Sequence, residues 1–279
     1  MNGYFYGWYL KCQSKEDTVA LIAAMHENAG KKTCSLQVIT EDGAYVIDIP
    51  RNEYKKNKEY VKIGSNSFGI YGIYVNMNSK DVSIKGRLLF GHITPLKYDI
   101  MGPFALVPYM ECRHFVKSMR HVVNGSLVIN GKKYVFDNAV GYIEGDMGRS
   151  FPKNYIWTQS LFHGGSLMLS VANIPLAGFE FTGIIGVILY KGKEYRFATY
   201  LGARVTELGN NSVTIKQGCM ELTATLIEES SFGLNAPTNG NMVRTIRESA
   251  SCKASYRFRI KGKTVLAFKT DRASFEYEY

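Results

Sequence analysis

The sequence predicts an all-β protein of the sandwich or barrel type, and three observations lead to that prediction. Many short segments alternate apolar and polar residues with a period near two, the spacing of a strand with one buried face. Most of these segments are separated by turns that contain glycine or asparagine. The aromatic share is 13%, mostly Tyr and Phe, and both residue types favour β-sheet. The chain of 279 residues can form one large or two medium domains.

The first half of the chain contains six predicted strands. They are 4–10, 35–40, 44–49, 60–63, 68–77 and 82–90. Residues 14–27 fit two structures, because Ser14 followed by Asp17 resembles a helix start, whereas the apolar run behind it also fits a buried strand. Residues 51–59 are charged and predict a loop. Residues 91–110 contain three prolines, so we expect an ordered crossover or pocket-lining loop there.

The second half is also rich in predicted strands. Residues 114–129 predict two strands around Asn124-Gly125, and Asn130-Gly131 starts a tight hairpin into 133–136. The later predicted strands are 161–171, 179–189, 195–201, 203–207, 213–216, 221–227, 255–260, 264–270 and 273–279.

The two halves are similar in size, so we place a boundary in the hairpin region. This predicts an N-terminal β domain over 1–128 and a C-terminal barrel-like domain over 129–279. The polar stretch 230–249 predicts a long loop that could serve as a lid or rim. Folds of this kind bind ligands in a cleft or a barrel mouth, so we expect a ligand cleft between the two domains or in the mouth of a barrel.

The net charge of +10 comes from 34 Lys and Arg against 24 Asp and Glu. A nucleic-acid binder would concentrate this charge in a dense basic block with interleaved aromatics, whereas the basic residues here are spread over both halves. We therefore expect no nucleic-acid partner. Weak contact with an anionic membrane surface stays open.

The cysteines indicate reduced thiols, since their number is odd and no two have CxxC spacing. They are Cys12, Cys34, Cys112, Cys219 and Cys252. The first eleven residues lack a basic segment followed by an apolar run, so they predict no signal peptide. The apolar stretch 181–190 is too short to span a bilayer. Together these observations predict a cytoplasmic protein.

Three histidines and an acid lie in one region of the sequence: His92, Glu111, His114 and His121. Their spacing does not match a usual zinc site, and on a strand His114 and His121 point to opposite faces. We therefore predict separate hydrogen-bonded histidines and no metal. The segment His163-Gly164-Gly165-Ser166 predicts a hairpin tip in preference to an oxyanion-binding segment.

Residues 141–159, at the middle of the chain, combine two acids with glycines, a proline and a tryptophan. Glu144 and Asp146 lie two apart, so on a strand both point to one face. A carboxylic acid in an apolar pocket keeps its proton near neutral pH and can deliver it to an alkene or carbonyl. We predict that these two acids are catalytic. The aromatic side chains expected to line the pocket and to stabilise a developing cation are Trp8, Tyr142, Tyr155 and Trp157.

Other arrangements would leave these acids without a catalytic role. Glu144 could pair with Arg149 or Lys153 or cap a turn, and Asp146 could belong to a turn with the two residues that follow it. An acid that faces an apolar cavity without a buried basic partner would favour catalysis. Acids held in salt bridges outside a cavity would favour a ligand carrier.

Several segments resemble the tocopherol cyclase-like family. Phe5-Tyr6-Gly7-Trp8-Tyr9 resembles the segment that opens these proteins, and residues 142–152 with 155–159 resemble their second, more distinctive motif. Met101-Gly102-Pro103-Phe104 and the region 114–121 resemble the same group, so the resemblance covers nearly the full length. Met147 stands where the family has a tryptophan. The chain is also shorter than plant-type cyclases and lacks a plastid-like leader, which favours the cyclase-like scaffold over a tocopherol substrate.

The resemblance implies a fold related to the lipocalins, with two barrel-like or sandwich domains, and kinship with carotenoid hydratase-like proteins and certain pericyclases. It implies closure of a chromanol ring from a prenylated hydroquinone, in which a proton adds to an alkene and a phenolic oxygen traps the tertiary cation. That reaction requires no redox cofactor or metal, so we expect no cofactor. The resemblance also adds His114 to the ligand-binding residues.

We therefore predict an enzyme of the isomerase or lyase type that binds an apolar small molecule, prenylated in the family's case. It would promote acid-catalysed cyclisation or hydration of that molecule. The alternative is a non-catalytic lipocalin-like carrier of a hydrophobic ligand. A basic protein that binds nucleic acid or a membrane surface is the most distant hypothesis, and no oligomeric state is predicted.

Overall fold

The computed structural model consists of β-strands joined by short turns, which confirms the predicted all-β fold. It describes residues 3–49, 53–107, 110–176, 179–228, 233–238, 241–247 and 251–279. The strands form two large antiparallel sheets and one two-stranded sheet. The chain divides into two compact units. Unit 1 contains Met1–Asp99, Glu111–Phe151 and Leu234–Thr245, and unit 2 contains Ile100–Met110, Pro152–Gly233 and Ile246–Tyr279.

Unit 1 is built on an eleven-stranded sheet. Its strands are β1 (Tyr4–Gln13), β2 (Thr18–Asn28), β3 (Lys31–Ile39), β4 (Ala44–Ile49), β5 (Tyr54–Lys56), β6 (Tyr60–Ile63), β7 (Asn66–Gly69), β8 (Gly72–Asn78), β9 (Ser83–Phe90), β10 (Cys112–Ile129) and β11 (Lys132–Gly148). Their order in the sheet is β4-β3-β2-β1-β11-β10-β9-β8-β7-β6-β5. Strands that follow one another in sequence are paired, except β4 and β5, which are the two edge strands, and β1 also pairs with β11. This pair joins the two ends of the meander.

One face of this sheet carries the hydrophobic core of unit 1. Along β1 the side chains of Tyr6, Trp8 and Leu10 enter the core, as the two-residue period of a strand requires. Tyr9 and Lys11 point to the opposite face and are buried as well. A fully buried large apolar side chain contributes about 1.5–3 kcal/mol, so this core accounts for much of the stability of unit 1. The opposite face carries buried polar groups, and the candidate site lies there.

Unit 2 is built on a nine-stranded sheet. The remaining strands of the chain are β12 (Tyr155–Phe162), β13 (Gly165–Leu176), β14 (Phe179–Tyr190), β15 (Lys193–Ala198), β16 (Arg204–Gly209), β17 (Ser212–Gln217), β18 (Met220–Glu228), β19 (Gly233–Thr238), β20 (Asn241–Arg247), β21 (Cys252–Ile260) and β22 (Lys263–Glu278). The order in the nine-stranded sheet is β15-β14-β13-β12-β22-β21-β18-β17-β16. The long strand β22 pairs with β21 through its first part and with β12 through its last residues.

The hydrophobic core of unit 2 lies on one face of this sheet. Its buried apolar residues include Ile156, Leu167, Phe197, Phe258 and Phe275. On the same face of β12 as Ile156, the hydroxyl of Thr158 lies 2.6 Å from the Tyr256 hydroxyl and donates to the Ser274 carbonyl. The residues of β12 with odd numbers, from Tyr155 to Leu161, point to the other face of the sheet.

The ambiguous segment 14–27 is a strand and not a helix. Strand β2 starts at Thr18, and the Ser14–Asp17 pattern closes the turn between β1 and β2. The backbone N–H of Asp17 donates to Ser14 Oγ at 2.9 Å, and the backbone N–H of Ser14 donates to the Asp17 carbonyl at 2.8 Å. A serine with an acid three residues later can satisfy backbone donors in a turn as well as at a helix start.

The expectation of two strands over 114–129 is wrong, because β10 is continuous. Its pairing with β11 shifts register between Val123 and Gly125, and Gly125 has a φ of 128°. Here one residue of β10 stands opposite two of β11, so the bulge lies in β11 and β10 continues past Gly125. Strand β11 likewise continues beyond the predicted segment 133–136 and reaches Gly148.

Three other predictions need correction or qualification. The charged segment 51–59 contains the short strand β5, and 68–77 is divided between β7 and β8. The polar segment 230–249 is not one loop, since β19 and β20 form the two-stranded sheet. The prediction for 230–232, 239–240 and 248–249 lies outside the described residues.

The segment 91–110 is irregular where it is described, as its prolines predict. It contains one short 3-10 helix, Gly102–Leu106. In the described part of the chain, no helix has the length and apolar character needed to cross a membrane.

The predicted domain boundary separates two strands that belong to one unit. Residues 128 and 129 are the last two residues of β10, so the boundary separates nearly all of β10 from β11, and both strands belong to unit 1. The chain passes from unit 1 to unit 2 three times, between Asp99 and Ile100, between Phe151 and Pro152, and between Thr245 and Ile246. The division into domains 1–128 and 129–279 stays a prediction, because the compact units describe which residues lie together and not which segments fold independently.

Candidate active site

Three neighbouring strands of unit 1 bring the candidate residues together. Strand β11 lies between β1 and β10, so that Asp146 is opposite Gly7 on one side and His114 on the other. Glu144 is opposite Tyr9. Because residues two apart on a strand share a face, Glu144 and Asp146 point in the same direction. Asp146 therefore belongs to a strand and not to a turn.

The imidazole of His114 lies between the two carboxylates. Its Nδ1 atom is 2.8 Å from Asp146 Oδ1, and its Nε2 atom is 2.9 Å from Glu144 Oε2. As an imidazolium it donates one N–H to each acid. The Tyr142 hydroxyl donates to the same Oε2 atom of Glu144. Tyr142, Glu144, His114 and Asp146 thus form one hydrogen-bonded series, which we call the acid–imidazole chain.

Neither acid lacks a basic partner, since His114 contacts both. Within the residues that the structure describes, Glu144 makes no ion pair with Arg149 or Lys153; its contacts are with His114 and Tyr142. Acid catalysis by an isolated protonated carboxyl group does not fit this geometry. Any proton transfer here has to involve the imidazole and the carboxylates as a unit.

The charges of the two acids control the protonation of His114. Burial by itself lowers the pKa of the imidazole, but Asp146 and Glu144 together raise the pKa of His114 well above its usual range. His114 is therefore cationic at neutral pH. Burial, reinforced by the charge of Glu144, raises the pKa of Tyr142 well above its usual range. The phenol therefore stays protonated and acts as a donor to Glu144.

Asp146 lies at one end of the acid–imidazole chain, and its side chain is more exposed than those of Glu144 and His114. Its side chain is 24% exposed, against 4% for Glu144 and 8% for His114. Its contacts with His114 and with the thiol of Cys112, at 3.4 Å, both end on Oδ1. Burial, with Asp146 next to it, raises the pKa of the Cys112 thiol, so the thiol is also a donor. Among the described residues no hydrogen bond ends on Oδ2, and this atom can face a ligand.

Glycines allow the three strands to approach closely enough for these contacts. A Cβ atom at Gly145 would lie 2.3 Å from the Gly7 carbonyl oxygen and 2.4 Å from the Phe115 ring. A Cβ atom at Gly148 would lie 2.0 Å from the Glu111 carbonyl oxygen. Real Cβ atoms essentially never come within 3.0 Å of such atoms. The glycines of the central motif therefore set the spacing between β1, β11 and β10.

The other predicted ligand-binding residues are divided between the two units. Trp8 lies on the core face of β1, opposite to the acid–imidazole chain, and its Nε1–H donates to the Tyr6 hydroxyl at 2.9 Å. Tyr155 and Trp157 lie on β12 of unit 2, where the Tyr155 hydroxyl donates to the buried carboxylate of Glu276. The assignment of these aromatic residues to ligand binding stays a prediction.

His121 is separate from His114, as the spacing predicts. It pairs with Gly141 on β11, so it points to the face opposite to Asp146. Its Nδ1 atom lies 3.1 Å from the Ser118 hydroxyl. His92 is exposed. The three histidines thus have different surroundings, and only His114 contacts the predicted catalytic acids.

Sequence reasoning missed Cys112 and the bridging position of His114. A partial signal exists, because counting back along both strands from the Asn130-Gly131 turn places His114 opposite Met147. Register shifts in β10 move the pairing by one residue and bring His114 opposite Asp146. A shift of one residue in the pairing exchanges the two faces of a strand. The position of the turn alone therefore does not predict that His114 faces Asp146.

The fold and the site together define an all-β protein that holds a buried acid–imidazole chain on one face of a large antiparallel sheet. The tocopherol cyclase-like family model matches residues 77–277, and the chain belongs to that family. The resemblance noted in the sequence is therefore confirmed.

Curated relatives support the family assignment. A probable tocopherol cyclase, chloroplastic, from Oryza sativa subsp. japonica is 26% identical over 209 residues. The match covers 67% of this chain and 44% of the rice protein. The chain spans about half the length of the curated relatives it matches.

Solved structures share the fold. Kievitone hydratase from Nectria haematococca superposes with a TM-score of 0.58 at 12% identity, covering 99% of this chain and 89% of that one. The structure of CghA with Sch210972 gives a TM-score of 0.63 at 8% identity, covering 99% and 88%. At such identities the likeness establishes the fold alone.

Proposed function

We propose that this protein is an enzyme that binds an apolar molecule and promotes its cyclisation or hydration by proton transfer. The observation that carries the proposal is the acid–imidazole chain with its partly exposed end at Asp146. The family supports this class of reaction. The name of the rice relative supports a prenylated hydroquinone as the first substrate to test.

Asp146 is the residue that exchanges a proton with the substrate. In its acid form it carries the proton on Oδ2, because Oδ1 already accepts hydrogen bonds from His114 and Cys112. When the proton leaves, the conjugate base forms next to the cationic imidazolium. That charge and the imidazole N–H donor stabilise the Asp146 carboxylate as it develops in the transition state.

His114, Glu144 and Tyr142 position this acid and keep the imidazole charged. Glu144 accepts from both His114 and Tyr142, so the ring orientation of His114 is fixed from the side away from Asp146. A buried imidazolium without a second carboxylate would be much less stable. Glu144, predicted as catalytic from the sequence, acts in this scheme as a positioning residue.

The proton balance closes in one turnover. The proton from Asp146 adds to the less substituted alkene carbon and leaves a tertiary carbocation. The phenolic oxygen of the same molecule forms the new C–O bond and releases its proton, which returns to the Asp146 carboxylate. In the hydration variant, a water molecule supplies the oxygen and the returning proton. Neither route consumes a group of the protein.

The first test is turnover of a prenylated hydroquinone in D₂O. The wild-type protein is expected to form a chromanol with one deuterium on the ring carbon that was the protonated alkene carbon. Asp146→Asn removes the transferable proton and is expected to lower the rate by about 10²–10⁴-fold. Mass spectrometry and NMR of the product measure both effects.

Asp137→Asn is the matched control, since Asp137 is an exposed acid on the same strand. It should leave the rate unchanged. Wild-type rates in Asp146→Asn, or a product without deuterium at that carbon, would refute the assigned role of Asp146. Tight binding of the hydroquinone without turnover by the wild-type protein would contradict the enzyme and support the carrier.

The cytoplasm is proposed as the location. None of the five cysteines, all of which lie in the described part of the chain, forms a disulfide, and Cys12, Cys34 and Cys252 are buried. Free thiols persist in a reducing compartment.

A further inference from the structure

One face of the nine-stranded sheet carries polar side chains that the proposed mechanism does not use. The residues of β12 with odd numbers point to this face, which is opposite to the core of unit 2. Gln159 lies opposite Met168 on β13 and opposite Ser274 on β22. Ser166 lies opposite Leu161, one position further along the same face. Diagonal neighbours of this kind are about 7–8 Å apart, a distance that one small molecule can bridge.

Gln159 and Ser166 are buried without a hydrogen-bond partner in the described part of the chain. Both side chains are fully buried. Neither the Oε1 nor the Nε2 atom of Gln159 has a partner there, and the same holds for Ser166 Oγ. Buried polar groups in native proteins are nearly always hydrogen-bonded, and an amide that misses both its donor and its acceptor contacts is unusual. A group from outside the chain is therefore expected at this position.

The surroundings of Gln159 define the chemistry of that group. Trp157, Leu161 and Met168 lie on the same face and are apolar. A ligand here has an apolar body and at least one oxygen that can exchange hydrogen bonds with a carboxamide.

The charged groups on this face are already paired. The carboxylate of Glu276, opposite Trp157, accepts from the Tyr155 hydroxyl. The guanidinium of Arg196 lies 3.0 Å from Glu194. Glu194 compensates the charge of Arg196, and the Glu276 carboxylate, whose named partner is a neutral hydroxyl, disfavours an anionic ligand. A neutral ligand therefore fits this face better.

We propose that Gln159 and Ser166 form a binding site for a neutral, hydroxyl-bearing apolar ligand, a phenol or an alcohol. The Gln159 amide donates through Nε2 and accepts through Oε1, which matches a hydroxyl group that both accepts and donates. The Ser166 hydroxyl forms a further hydrogen bond, either with the same oxygen of the ligand or with another oxygen of the ligand. The proposal names neither Asp146 nor its partners, so its test is separate from the test of proton transfer.

Equilibrium binding of unreactive probes tests this site. Isothermal titration calorimetry compares 4-nonylphenol with nonylbenzene and 4-nonylbenzoate, which share an apolar body and differ in the polar group. The wild-type protein is expected to bind the phenol more tightly than the other two. Equal affinity for nonylbenzene would overturn the proposal without any variant. None of these probes can cyclise, so the result is separate from turnover.

Gln159→Leu is expected to weaken binding of the phenol about tenfold and to leave the affinity for nonylbenzene unchanged or higher. Ser166→Ala should weaken phenol binding in the same direction. Ser212→Ala is the control, because the Ser212 hydroxyl in the same unit already contacts Thr225. It should change neither affinity.

A structural role for Gln159 gives different results. If Gln159→Leu weakens both probes equally, or weakens neither, the amide does not bind the ligand oxygen. Thermal unfolding gives a second measurement. Removal of an unpaired buried amide is expected to keep or raise the Tm of the ligand-free protein, whereas the phenol should stabilise the wild type more than Gln159→Leu.

Discussion

Glu144 and Asp146 lie two residues apart on β11 and contact the same imidazole, yet their side chains are 4% and 24% exposed. Glu144 is enclosed by two donors, the Tyr142 hydroxyl and His114. Asp146 has both of its contacts on one oxygen. Identical chemistry in different surroundings therefore suggests different tasks, proton exchange for Asp146 and orientation for Glu144.

The pH profile distinguishes a positioning role of Glu144 from a merely structural one. Glu144→Gln removes one of the two charges that raise the pKa of His114, so this pKa should fall. Activity that depends on the imidazolium would then decline at lower pH than in the wild type. The measurement is kcat against pH for both proteins.

Tyr142→Phe is the matched variant, since it removes the hydrogen bond to Glu144 and keeps the charge. Tyr142→Phe should lower kcat, but it should shift the decline of kcat at high pH (the alkaline limb of the profile) less than Glu144→Gln does. An unchanged alkaline limb in Glu144→Gln would contradict the proposed coupling between Glu144 and His114.

At the scale of the strand, the site depends on backbone approach as much as on acids and bases. Gly145→Ala would place a Cβ atom 2.3 Å from the Gly7 carbonyl oxygen. The strands have to separate to accommodate it, so we expect a loss of about 1–3 kcal/mol in the free energy of unfolding, with longer contacts between His114 and the acids. Urea unfolding followed by tryptophan fluorescence measures the loss.

Gly7→Ala is the control, because a Cβ atom there meets its nearest neighbour, the Ala24 Cβ, at 3.4 Å. It should cost much less than Gly145→Ala. Equal losses in the two variants would show that close approach at Gly145 is not what holds β11 in place.

Much of the strand pattern is readable from the sequence, because alternation and turn residues act locally. The Asn130-Gly131 hairpin and the strands on both sides of residues 41–43 form where they are predicted. The bulges of β10 are not readable, since they depend on packing between strands that are distant from the turn. The pairing of His114 with Asp146 follows from those bulges, so the two acids could be selected from the sequence but their common partner could not.

At the scale of the whole molecule, buried histidines make stability depend on pH in two directions. The pKa of His114 is raised in the folded state, so its contribution is fully present below about pH 6.5 and is lost as the pH rises through the folded-state value. Burial lowers the pKa of His26 and of His121 to about 4. These two rings stay neutral when folded but take up protons when unfolded, which favours unfolding at acid pH.

Acid unfolding tests the second effect. Between about pH 6.5 and pH 4, each of the two neutral rings is expected to reduce the free energy of unfolding by about 3 kcal/mol. His26→Gln should flatten this part of the stability curve, measured by urea unfolding at a series of pH values. His92→Gln, which alters an exposed histidine, is the control and should leave the slope unchanged. The same slope in His26→Gln as in the wild type would contradict a neutral buried His26.

The pairs β1–β11 and β12–β22 each join strands that are far apart in the sequence. During synthesis β1 is made early, but its partner on this side, residues 140–148, follows more than a hundred residues later. Strand β12 waits in the same way for residues 274–278. A nascent chain therefore exposes two unpaired strand edges, which can add strands from other chains, until each late partner emerges. Both candidate sites lie on strands closed by these late pairs, so neither can be complete before its sheet is.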